Sequence, residues 1–132
     1  MNAGDVILWR AFEFPDGGRA DKLFIIANEQ RNGEHLAFIV TSQQKAGREQ
    51  KPGCYEQLSW FFLQKGTSSF VKPTWVTFDD GYEFLVDELE ELRERGVVAL
   101  LREKLQPATL RAVINCFCRT LAVTPHHRWL LE

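Results

Sequence analysis

No stretch of this sequence stays apolar for the roughly 18 residues that a membrane-spanning helix requires, which argues against a span. The start, MNAGDVILWRAF, has neither a basic leader region nor a small-residue cleavage site, so secretion is not expected. Cysteine is scarce. Cys54, Cys116 and Cys118 are an odd set that cannot all pair within one chain, and the expectation is reduced thiols in a cytoplasmic protein. There is no Cys-x-x-Cys. Cys116 and Cys118, two apart on a helix, point to different sides, so they do not combine with His126 and His127 into a zinc site. They read as buried packing residues, and neither metal nor cofactor is expected. Cys54 lacks a neighbouring base and does not read as a nucleophile. Repeats and low-complexity tracts are missing. An excess of positive charge is missing too: 16 Lys and Arg stand against 18 Asp and Glu, a net charge of -2. Attraction to nucleic acid or acidic membranes must then come from a local patch.

What remains is an ordinary folding composition. Of the 132 residues, 45% are apolar and 26% charged, which suits one globular domain over 1–132. A chain of this size hides roughly two-thirds of its unfolded surface on folding.

The first two-thirds reads as strands. VILWRAF is rich in β-branched and aromatic residues and is bounded by Gly4 and by Pro15-Asp16-Gly17-Gly18. LFIIA and LAFIV are continuous apolar runs separated by Asn32-Gly33, a strong turn pair. Continuous rather than alternating apolarity predicts strands covered on both faces, as in a small barrel or at a dimer interface. The loop between the first two runs carries PDGG and then Arg19, Asp21 and Lys22, as if it closes over a ligand; the competing reading is a solvated loop. Residues 41–55 are polar and read as a long loop, after which SWFFL and PTWVTF resume the strand pattern. From Tyr82, YEFLVDELEELRERG has helical spacing, acids early, arginines late and a glycine stop. VVALLREKL reads as a short amphipathic piece. PATLRAVINCFCRTLAV reads as a helix of about four turns, with Pro107 at its first position and an end near Thr124-Pro125.

GDVILWRAFEFPDGG, followed by KLFIIAN and LAFIVTSQ, resembles the MazF/PemK family of plasmid-maintenance and growth-inhibitor toxins, over residues 4–44. The order of the later elements agrees with it. The resemblance implies an α+β fold, a small SH3-like β-barrel of five to six short strands with helices in the C-terminal third. It implies the toxin of a type II toxin–antitoxin pair, a metal-independent endoribonuclease on single-stranded RNA. A homodimer and an antitoxin protein as partner belong to the same implication. In the family, an Arg-Pro pair heads strand two, and a threonine or serine follows strand three. Thr41 matches the latter. At the former stand Lys22 and Leu23, with Arg19 three residues upstream. Catalytic candidates are therefore Lys22, Thr41 and Arg19, with Ser42, Gln43, Lys45 and Arg48 as substrate-binding candidates.

Cleavage by a neighbouring 2′-hydroxyl needs a proton acceptor, a proton donor for the leaving oxygen, and positive charge against the phosphorane. Lysine supplies a point charge where arginine supplies a planar fork. Residues 41–72 hold five cations against two carboxylates, a local excess of +3, with Tyr55 and Trp60 interleaved. That pattern suits a phosphate-tracking surface and equally a solvated lysine-rich loop. Replacement of the Arg-Pro pair favours an alternative, a barrel that binds RNA or a protein partner without cutting. A third reading, a gyrase-poison-like inhibitor, rests on Trp129 near the C-terminus.

Overall fold

The computed structural model describes residues 1–42 and 51–132. Seven strands form one antiparallel sheet: β1 (Val6–Glu13), β2 (Arg19–Ile26), β3 (Glu34–Thr41), β4 (Gly53–Tyr55), β5 (Trp60–Leu63), β6 (Thr74–Leu85) and β7 (Val98–Leu100). Among the described residues there are also a 3-10 turn (Glu56–Leu58) and three α-helices: α1 (Val86–Glu94), α2 (Pro107–Arg119) and α3 (Pro125–Leu131). The spatial order is β4-β5-β6-β3-β2-β1-β7. The α+β class stands, but the sheet is open: its two outer strands, β4 and β7, are three residues long and lie at opposite edges.

Helices, not barrel closure, explain the continuous apolar runs. On one face Ile25, Leu36, Phe38 and Val40 pack against Val113, Cys116 and Phe117 of α2 and Leu130 of α3. On the other, Ile7, Phe24, Ile26, Ala37 and Phe84 pack against Leu89 of α1 and Val98 of β7. Successive strand residues point to opposite faces, so LFII fills both cores at once. None of the helices among the described residues is long and apolar enough to cross a membrane.

The turns follow local chemistry. Asn32 (φ 53°) and Gly33 (φ 76°) take the left-handed pair of values that a two-residue hairpin turn requires. The loop 14–18 closes on itself: Phe14 N donates to the Gly18 carbonyl, Gly17 N to the Phe14 carbonyl, and Gly18 N to Asp16 Oδ1. Arg19, Asp21 and Lys22 are consequently strand residues, not loop residues. Their carbon skeletons extend the β1–β2 ladder beyond the apolar runs.

Three further expectations are corrected. Tyr82–Leu85 belongs to β6, paired with β3 from Glu34↔Leu85 to Ala37↔Tyr82, and α1 begins only at Val86. The helical spacing there came from Phe84 and Leu89, which meet in one core although they sit on different elements. Val98–Leu100 of VVALLREKL form β7, the neighbour of β1 through Ile7↔Leu100 and Trp9↔Val98. Finally, Cys116 is not a reduced packing residue but is bonded to Cys54 across 62 residues, which fastens β4 to α2; Cys118 keeps its thiol.

Candidate functional site

β1 carries a bulge opposite Asp21. Trp9 pairs with Lys22 and Phe12 with Ala20, so β1 spends one residue more than β2 over this stretch. Ala11 absorbs the excess at φ 52°, and its N–H leaves the ladder to donate to Asp21 Oδ1 at 2.8 Å. On a regular strand, Trp9 and Phe12 would face opposite ways. Here both enter one aromatic cluster with Phe14, Phe24, Tyr82 and Phe84, with Trp9–Phe12 at 5.1 Å and Phe12–Tyr82 at 5.4 Å between ring centroids.

The β2–β3 ladder runs antiparallel through Ile26↔Ala37 to Leu23↔Val40. The paired ladder ends there, and Lys22 and Thr41 are the next residues on the two strands, both on the face opposite Leu23 and Val40. Lys22 Nζ sits 5.9 Å from the Phe14 ring centroid, within reach of a cation–π contact. Thr41 is half-buried and pairs on its other side with Trp75 of β6. Ser42 follows, exposed. This end of the sheet thus offers one ammonium, two hydroxyls and the half-buried rings of Trp9, Phe14 and Tyr82.

Arg19 is not brought to the same place. It lies three strand residues from Lys22, about 10 Å along β2 and on the opposite face. There its guanidinium makes an exposed ion pair with Glu13 at 3.4 Å, an interaction of small net worth. Gln43, Lys45 and Arg48 fall outside the described residues.

The imidazoles gather at the other end of the sheet. His35 is six residues from Thr41 on β3, about 20 Å away. It is 2% exposed, and its Nδ1 lies 3.1 Å from the Asn28 carbonyl; since a carbonyl only accepts, Nδ1 carries the hydrogen. Burial pushes the His35 pKa below its ordinary value of 6.5. His126 Nε2 meets Glu34 Oε2 at 3.2 Å, and His127 Nε2 meets Glu83 Oε1 at 2.6 Å. Trp129, also on α3, is half-buried and already engaged: its ring stacks with His126 and lies 4.2 Å from the Arg31 guanidinium. Sequence reasoning treated His126 and His127 only as would-be zinc ligands. Their glutamate partners lie 92 and 44 residues away, a distance at which no local pattern signals the pairing. Cys116 is already bonded, and among the described residues no cluster of His, Cys, Asp and Glu is arranged to hold a metal ion.

A cleft of about 1430 Å³ opens beside α3, walled by residues 27–31, 103–107, the first turns of α2 and the end of α3. Its rim alternates Arg31, Lys104 and Arg111 with Glu29, Glu103 and Glu132, so it carries no net charge. Lys104 is held by Asp5 at 3.6 Å, and Arg31 by Glu132 at 3.8 Å.

No family model, no curated protein and no solved structure matches this chain.

Proposed function

We propose that the protein binds single-stranded RNA at the Lys22–Thr41 end of the sheet and cleaves it without a metal, as the toxin of a toxin–antitoxin pair. The reading rests on one juxtaposition: Lys22 and Thr41 are the next residues past the end of the β2–β3 ladder, on a face of half-buried rings. Lys22 meets the non-bridging phosphate oxygens and offsets the charge that builds on the phosphorane. Thr41 and Ser42 donate hydrogen bonds to the same oxygens. Trp9, Phe14 and Tyr82 offer ring edges and faces on which bases stack, each stacked base worth about 1–3 kcal/mol. In the reaction the 2′-oxygen forms a bond to phosphorus as the bond to the 5′-oxygen breaks. The hydroxyl proton leaves to a base, and the departing oxygen receives one.

One observation favours a second reading, a module that binds RNA and does not cut. The three histidines serve the far end of the sheet, and the guanidinium of Arg19 lies on the other face with Glu13. Lys22 is then the cation of this site.

The test is a labelled single-stranded RNA incubated with the protein in EDTA, with binding followed in parallel by anisotropy over a salt series. Cleavage to 2′,3′-cyclic phosphate ends is expected, falling at least about 100-fold in Lys22→Ala and in Thr41→Ala. Binding lost in Lys22→Ala, with no cleavage by the unaltered chain, selects the second reading. Undiminished cleavage in both variants removes the site.

A further inference from the structure

The Cys54–Cys116 bond joins a well-anchored helix to a poorly anchored strand. Cys116 is fully buried in the core that α2 and α3 build against the sheet. Cys54 is half-buried on β4, so the strand's side of the bond is the one open to a dissolved thiol. β4 itself brings little to the fold. All three of its residues are half-buried, and none is among the fully buried residues of either core. Its ladder among the described residues is the three pairs it makes with β5. The other tie to α2, Arg119 to Glu56 in the turn after β4, is an exposed ion pair of small net worth. Without the bond, a three-residue edge strand has too few contacts to offset the entropy of ordering it. Both cores keep all their fully buried apolar side chains when it leaves.

β4 also ends a row of paired residues that crosses the sheet. Gly53 opposes Phe62 of β5, Phe62 opposes Trp75 of β6, and Trp75 opposes Thr41 of β3, on the face that carries Lys22. Phe62 and Trp75 are 3% and 1% exposed, with ring centroids 5.0 Å apart. Departure of β4 makes β5 the edge strand and leaves Phe62 without its outer neighbour. The ring that packs on Trp75, the cross-strand partner of Thr41, is then free to shift.

We propose that the Cys54–Cys116 bond is a redox-operated clamp: its reduction releases β4 from α2 and β5 while the rest of the sheet stays folded, and so weakens the site at Thr41. The step is thiol–disulfide exchange with a dithiol reductant. One thiolate of the reductant forms a bond to Cys54 Sγ as the bond to Cys116 Sγ breaks, and Cys116 leaves as a thiolate and takes a proton. The second thiol of the reductant, losing its proton, then displaces Cys54. The protein gains two electrons and two protons, and the reductant becomes a cyclic disulfide. The effect on RNA rests on the function proposed above; the release of β4 does not.

The test is hydrogen–deuterium exchange on the full chain, oxidised and in dithiothreitol, with RNA binding followed by anisotropy in both states. Exchange of the β4 amides is expected to rise at least about tenfold on reduction, while β2 and β3 stay protected. The dissociation constant for RNA should rise at least about fivefold. Protection of β4 that survives reduction overturns the clamp. Loss of protection in β2 and β3 in step with β4 also overturns it, since the bond is then a staple of the whole fold. Cys54→Ser should match the reduced chain and be indifferent to dithiothreitol, and a persisting response overturns the proposal. Should that variant fail to fold, the reduced unaltered chain decides. Equal RNA affinity in both states removes the coupling to Thr41. A chain that binds no RNA in either state refutes the function proposed above, and exchange alone then decides the clamp.

Discussion

Gly81 passes directly beneath the buried imidazole of His127. A Cβ added there would lie 2.9 Å from His127 Cε1, closer than carbon atoms tolerate. The ring has little freedom to retreat, because Glu83 holds one side of it and Phe117 packs against another. Gly81→Ala should therefore cost about 1–3 kcal/mol in urea denaturation. In a double-mutant cycle with His127→Ala, most of that cost should disappear. Asp21 is a second residue whose small size conceals a long reach. Its carboxylate takes the N–H that Ala11 withdraws from the ladder, so it sustains the bulge that turns Trp9 and Phe12 to one face. Asp21→Ala removes that acceptor at a cost of about 1–2 kcal/mol. Near-ultraviolet circular dichroism should change with it, as the aromatic cluster loses its fixed geometry.

At the scale of elements, the weakest strand carries the strongest tie. β4 has three residues, pairs among the described residues only with β5, and is anchored to α2 by the Cys54–Cys116 bond and, through the residue after it, by the Arg119–Glu56 ion pair at 3.0 Å. Reduction, or Cys54→Ser, should lower stability by about 4 kcal/mol on a chain-entropy account of a loop this long. Alkylation of the denatured chain should report three thiols after reduction, two in Cys54→Ser, and one in the unreduced protein. The pairing was not legible in sequence, since an odd number of cysteines leaves the choice of partners open. The strands of the N-terminal half were legible, because β-branched runs ended by Gly33 and by Pro15 to Gly18 admit few other readings. So was the start of α2, with Pro107 at its first turn, although the helix ends at Arg119 rather than near Thr124, and α3 was not foreseen. The β6–α1 boundary was not, because core positions contributed by two successive elements mimic one helical period. β7 was hidden for a related reason: three residues are too few to display alternation. Of the site, the approach of Lys22 to Thr41 was not legible by counting: from the Asn32-Gly33 turn, Lys22 would oppose Gln43, and the irregular stretch 27–33 shifts the pairing by two residues to Leu23↔Val40. The separation of Arg19 from Lys22 follows from strand alternation, once those charges are recognised as strand residues.

For the molecule as a whole, pH acts through the group whose affinity for protons differs most between folded and unfolded chains. His35 titrates lower when folded than its ordinary 6.5, because burial disfavours its charge. The unfolded chain thus binds the proton more tightly. The contribution is complete above about pH 6.5 and is lost progressively as the pH falls toward the folded value. Denaturation midpoints should be higher at pH 7.5 than at pH 5.5, and His35→Asn should flatten the difference. The strand order also has a consequence for biosynthesis. β1 is translated well before its outer neighbour, β7, which begins only at Val98. A ribosome that has delivered the first six strands leaves one side of β1 with its amides and carbonyls bare, a surface on which other nascent chains can add. Emergence of residues 98–131 is what seals that flank and, with α2 and α3, roofs the larger core. Chains that stall before that point should be the ones that aggregate.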